Sequence, residues 1–214
     1  MAIRDHTPKG DRSSFCRAAA TTAGSMEWTR CPPQPIPNPP WNFHGTCFET
    51  DYASLIAWRD WNFPDPSVHN FFAAAALHTA DGAYLVGEMA PHTASAHQLY
   101  FPCGTPEPSD TNDRQQLGLQ ENLRRELREE TGLNIEELIA GPRWTLIHDR
   151  GLMAFMKQLT SRQSADELRG RILRHLATER QPELSDIYVV RGRSQLDSRM
   201  PPFVTKFLEA AWAR

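Results

Sequence analysis

Apolar and polar positions change period several times between residues 70 and 212, and each change marks an element. Two apolar runs in NFFAAAALHTADGAYLVGEM (70–89) flank Asp81–Gly82, an Asp-Gly pair that predicts a hairpin turn. LYFP (99–102) predicts a third short strand, which runs into Cys103–Gly104 and the turn-rich TPEPSD. Helical spacing begins near Leu119 and ends at Gly132, placed as a C′ glycine. PRWTLIHDRGLMAFMKQL (142–159) predicts a second hairpin turning at Asp149–Gly151. In SADELRGRILRHLA (164–177), Leu168, Ile172 and Leu176 recur at i+4 behind Ser164, a predicted N-cap. DIYVV (186–190) is a further strand, and MPPFVTKFLEAAW (200–212) a closing helix with proline at its start. DYASLIAWRDW (51–61) predicts a short helix burying Leu55, Ile56, Trp58 and Trp61. Helices interleaved with two hairpins indicate an α/β fold with a mixed sheet, not a doubly wound parallel one.

The N-terminal part is different in kind. CPPQPIPNPP (31–40) holds six prolines in ten residues, which neither continue a helix nor pair in a central strand. The first 25 residues are expected to be a disordered leader, with Met26 a candidate alternative start. The expected division is a leader and extended arm at 1–40 and a folded domain at 41–214. At 214 residues the chain is long enough for a sizeable core, and 40% hydrophobic and 23% charged residues are ordinary for a globular protein. A formal net charge of −3 gives no general attraction to nucleic acid or to an anionic membrane. The four cysteines (Cys16, Cys31, Cys47, Cys103) form no CxxC pair, which argues against a zinc site or a disulfide scaffold. The longest apolar run, FFAAAAL, is too short to span a bilayer.

Candidate chemistry concentrates in GLQENLRRELREETGL (118–133). Glu126, Glu129 and Glu130 stand at i, i+3 and i+4 and share one helix face. Three carboxylates there repel one another unless a divalent cation sits between them, and Mg²⁺ prefers oxygen ligands of this kind. Arg125 is placed to orient a neighbouring carboxylate. The competing account is a solvated face whose acids are balanced by Arg124, Arg125 and Arg128.

Arg125-Glu126-Leu127-Arg128-Glu129-Glu130-Thr131-Gly132-Leu133 matches REUxEExGU, where U is bulky and apolar. Upstream, Phe101-Pro102-Cys103-Gly104 supplies a strand end and a glycine. The chain therefore resembles the Nudix hydrolase superfamily, over about 104–133 in motif and about 68–210 in element order. The full box reads Gx5Ex7REUxEExGU. Counting from Gly104, the first acid falls on Asp110; counting back from Arg125, it falls on Leu117. Fourteen residues separate Asp110 from Arg125 where the family has seven, so TNDRQQL or its neighbourhood is an insertion of seven. In the family the first acid braces the loop through the box arginine, so the insertion is expected to alter loop geometry and spare the metal site.

The resemblance implies an α/β/α sandwich and metal-assisted hydrolysis of a diphosphate linked to another moiety. It implies Mg²⁺ or Mn²⁺ held by Glu126, Glu129, Glu130 and the Gly104 carbonyl, with Arg125 and Glu129 in catalysis. Glu183, just before a predicted strand, is the candidate acid from a later loop, ahead of Glu179. Arg143, Arg150 and His97 are candidate substrate contacts, with Arg191, Arg193, His92 and His78 behind them. Cys103 is expected to be a small strand-end residue and not a nucleophile. Subgroup marks are sparse. The proline about sixteen residues after the box, associated with ADP-ribose enzymes, is replaced by Asp149, and FPCG resembles the end of a coenzyme A motif whose arginines are lacking. ADP-ribose-like, coenzyme A-like and nucleoside triphosphate substrates all remain open. A non-hydrolytic Nudix domain that senses a nucleotide or binds a protein is the alternative. A cytoplasmic setting, a nucleotide as the small-molecule partner, no nucleic acid or membrane, and pairing of two copies complete the expectation.

Overall fold

The computed structural model describes residues 12–18, 27–28, 45–110 and 117–213. Met26 and the proline run 31–40 lie outside them. The strands are β1 (Arg12–Ala18), β2 (Glu27–Trp28), β3 (Gly45–Asp51), β4 (Val68–His78), β5 (Tyr84–Met89), β6 (Leu99–Tyr100), β7 (Cys103–Gly104), β8 (Ile139–Asp149), β9 (Leu152–Thr160) and β10 (Leu184–Val190). The helices are α1 (Tyr52–Asp60), α2 (Leu119–Thr131), α3 (Ala165–Leu176) and α4 (Pro202–Trp212). The main order across the sheet is β10-β5-β4-β9-β8-β2. It is mixed: β4 pairs parallel to β9 and antiparallel to β5, as expected from two hairpins. Both turns form where the sequence places them, and Gly82 takes the positive φ of +80° that its turn demands.

β4 is buried on both faces, and its period-two alternation sorts the two layers. Ala73, Ala75 and Leu77 face Leu123 and Leu127 of α2 and Leu168, Ile172 and Leu176 of α3. Phe72, Ala74 and Ala76 face Phe203, Val204, Phe207 and Leu208 of α4. Alanines at the centre let helices approach from both sides, and the result is the expected α/β/α sandwich. Burying each Leu or Phe side chain contributes about 1.5–3 kcal/mol. α3 carries a capping box, with Ser164 accepting from the Glu167 N–H and Glu167 accepting in return.

Two features depart from the pattern reading. β1 and β2 fall within the stretch read as leader and arm, where β1 pairs antiparallel with β3 and β4. Trp61 is 73% exposed, and no residue of α1 is fully buried. The reason lies just after α1. Asn62 and Phe63 both adopt φ of +58°, which turns the chain back on itself. Phe63 then packs edge-on to Trp58, with ring centroids 4.7 Å apart, and both rings press against Gly151. Phe63 takes the place expected for Trp61.

Candidate active site

α2 reaches the sheet where β4 and β5 diverge and β7 pairs with β4 instead, with Gly104 opposite Ala73. The helix runs with Leu123 and Leu127 inward, and Gly132 closes it in the left-handed conformation (φ +68°). Its phase buries Glu126 and Glu130 and leaves Glu129 exposed. The Cys103 N–H donates to Glu130. A β-carbon added at Gly104 would strike the Glu126 carboxyl, so the glycine lets the loop backbone lie directly on that carboxylate.

Burial pushes the Glu126 carboxyl up to about 8, reinforced by Glu129, Glu183 and Asp110 and opposed by Arg125. Glu130 is raised well above the usual carboxylate range by burial, then by Glu126 and Glu183, while the Cys103 N–H pulls it down. The Cys103 thiol is pushed up by desolvation and by Glu130, Glu126 and Glu183, which is the reverse of nucleophile activation. Glu183 therefore stands within the field of the buried pair. It is an exposed residue just before β10, and its carbonyl accepts from the Ala90 N–H at 2.8 Å.

The first acid of the box is the other half of the site. Asp110 ends a 3₁₀ turn (Pro108–Asp110) and is buried. It accepts from Arg125 Nη2 at 3.0 Å and Nε at 3.4 Å, from Asn122 Nδ2 at 3.3 Å and from the Glu107 N–H at 2.9 Å. The Gly118 N–H donates to the Asp110 carbonyl at 2.8 Å. Asp110 and Gly118, which flank residues 111–117, are thus tied together, and removing those seven leaves seven, 118–124, between Asp110 and Arg125. Residues 111–116, most of the inserted stretch, lie outside the described residues.

Solved structures similar to this chain include a Nudix hydrolase from M. smegmatis, RenU, at 15% identity and TM-score 0.47, covering 68% of this chain and 84% of that chain. The Nudix domain of Shewanella oneidensis NrtR, in complex with ADP ribose, is 15% identical at TM-score 0.47 and covers 77% and 99%. A C. elegans Ap4A hydrolase is 12% identical at TM-score 0.44 and covers 67% and 95%. The first two are Nudix proteins by name. No family model matches the chain, and no curated protein matches it.

The structure brings Gly104, Arg125, Glu126, Glu129 and Glu130 together, with Glu183 beside them. Of the other candidates, Glu179 lines a concavity together with Arg125, Arg128 and Glu129. Arg143 lies on β8 beside α4, across the sheet from Glu126 and Glu130. Arg150, with φ of +50°, sits in the exposed turn between β8 and β9. His97 is largely exposed and its Nδ1 lies 3.1 Å from Glu88. Arg191 pairs with Asp81 at 2.9 Å, and Glu179 lies 3.9 Å from His175. Sequence reasoning missed Asn122, which links the Asp110 carboxylate to the Ala73 N–H at 3.4 Å. An asparagine at a helix position facing the sheet was the available signal.

Among the described residues, no group of three or more His, Cys, Asp or Glu stands ready to hold a metal ion. Arg125 Nη1 instead pairs with Glu126 at 2.9 Å and Glu129 at 3.2 Å. The donor set nonetheless fits a hard divalent cation. It is all oxygen, and two of its carboxyls, Glu126 and Glu130, are buried within each other's field. No helix among the described residues is long and apolar enough to cross a membrane.

Proposed function

We propose that the chain is a Nudix-type hydrolase that cleaves a phosphoanhydride bond in a nucleoside diphosphate linked to another moiety. The observation that carries this reading is the Asp110–Arg125 brace, with the Gly118 N–H on the Asp110 carbonyl, because it restores the box spacing across the insertion. Glu126, Glu129, Glu130 and the Gly104 carbonyl hold Mg²⁺ or Mn²⁺. When bound, the ion neutralises phosphate charge and acidifies a water for attack at phosphorus. Arg125, fixed by Asp110, sets the orientation of Glu126 and Glu129. The carboxylate of Glu183, or that of Glu129 on the box helix, accepts the proton of the attacking water. Arg150 and His97 remain candidates for substrate contact. The reading places the protein in the cytoplasm, with a nucleotide as ligand and a second copy as its natural partner.

The test is a hydrolysis screen with Mg²⁺ and Mn²⁺ over ADP-ribose, coenzyme A, NADH, dinucleoside polyphosphates and nucleoside triphosphates. Glu129→Gln and Glu130→Gln are run in parallel. Metal-dependent turnover that collapses in both variants is the expected result. Tight nucleotide binding without turnover would replace it with the sensor reading, and absence of metal binding would remove the site.

A further inference from the structure

α2 ends on a carbonyl that its own helix leaves without a donor. The Gly132 N–H closes on the Arg128 carbonyl at 2.9 Å. The next N–H, of Leu133, turns back to the Thr131 hydroxyl at 3.3 Å, because Gly132 reverses the chain. The Glu129 carbonyl is therefore the first acceptor at the helix end that the helix does not satisfy. Its donor comes from α3. His175 Nε2 lies 3.1 Å from that oxygen. A carbonyl only accepts, so Nε2 carries the hydrogen. His175 stands in the last turn of α3, between Ile172 and Leu176, whose side chains share one core with Leu123, Leu127 and Leu133. The approach is close. A β-carbon at Gly132 would lie 2.6 Å from the His175 ring Cγ and 2.7 Å from its Nδ1. The glycine thus makes room for the ring as well as turning the chain.

Glu129 is the glutamate for which this contact matters. Glu126 and Glu130 are buried, whereas the Glu129 side chain is 60% exposed and pairs with Arg125 at 3.2 Å. With that side chain in solvent, the point from which its carboxylate reaches out is set by its backbone. The His175 side chain is itself only 25% exposed, and α3 is fixed at its other end by the Ser164–Glu167 capping box. His175, Gly132 and Glu129 line the same groove, beside Arg125 and Arg128. We infer that His175 is a positioning residue: its Nε2–H on the Glu129 carbonyl holds the last turn of α2, so that Glu129 and Glu130 keep the spacing a divalent cation requires. The inference rests on the reading of those glutamates as metal ligands. The effect passes through the backbone of Glu129 and not through contact with substrate.

The test compares two variants of the full chain. His175→Leu fills much of the same space without a donor, and His175→Gln restores an N–H close to the reach of Nε2. Two quantities are read: backbone hydrogen exchange at residues 130–133 without metal, and Mn²⁺ affinity by electron paramagnetic resonance. In His175→Leu those amides are expected to exchange faster and Mn²⁺ to bind about tenfold more weakly. His175→Gln is expected to recover both, because its amide supplies the missing donor. Unchanged Mn²⁺ affinity in His175→Leu overturns the positioning role, and so does a His175→Gln chain as weak as His175→Leu. Faster exchange throughout the chain assigns His175 to stability alone and overturns it as well. A native chain that binds no Mn²⁺ overturns the glutamate site itself and the positioning role with it, so the native chain tells the two failures apart.

Discussion

Two carboxylate environments lie along α2, and they are opposites. Asp110 is buried with four donors around it, two of them from a guanidinium. Glu130 is buried at least as deeply, with a backbone N–H beside it and three further carboxylates, Glu126, Glu183 and Glu129, in its field. The first arrangement holds a loop in place. The second opposes its own ionisation, and a cation is the ligand that relieves it. One helix thus carries a finished structural contact and an unfinished electrostatic one within two turns.

The strongest way to break this contrast is to neutralise the unfinished side. Glu126→Gln is expected to lower kcat/KM by on the order of 10³. It is also expected to raise the Tm of the metal-free chain at pH 8. A fall in Tm would show that Glu126 is stabilising as an ion. Removing the finished side should act the other way. Asp110→Ala leaves Arg125 and Asn122 without their shared acceptor and is expected to cost about 3–5 kcal/mol in urea denaturation, as for a broken buried pair. A loss below about 1 kcal/mol would place the brace among ordinary surface pairs.

The third test is pH. The unfolded chain releases the Glu126 proton near 4.5, whereas the folded chain holds it to about 8. Between those values the folded state binds the extra proton, so stability is greatest at the acid end and falls as pH rises. Melting curves of the metal-free chain from pH 5 to 8 should show this decline, and Mn²⁺ should flatten it. A smaller effect is expected from deleting residues 111–117. Their ends already lie within a hydrogen bond of each other, so Tm should move by only about 2–4 °C, equivalent to about 1 kcal/mol. Smallest of all, Trp61→Ala should change stability by within about 0.5 kcal/mol, because its indole is outside.

Much of this was legible in the sequence because local chemistry agreed with the tertiary result. Gly132 ends α2, Ser164 opens α3, and the Asp81–Gly82 turn sits between β4 and β5. What escaped was decided by contacts far along the chain. RSSFCRA and GTCFETD carry weak alternation, and β1 and β3 exist by pairing with each other. Trp61 and Phe63 are equally apolar, and only the backbone reversal at Asn62–Phe63 decides which turns inward. The glutamate cluster was legible through the REUxEExGU pattern, whereas the Asp110–Arg125 contact was hidden by the seven residues 111–117 that separate the two in sequence.

The bond between the Gly118 N–H and the Asp110 carbonyl also makes that point a port. Asp110 and Gly118 are tied together there, with the helix start and the brace already secured on either side. A peptide tag, a fluorescent reporter or a whole binding module spliced into 111–117 would hang beside the box helix like a branch from a node.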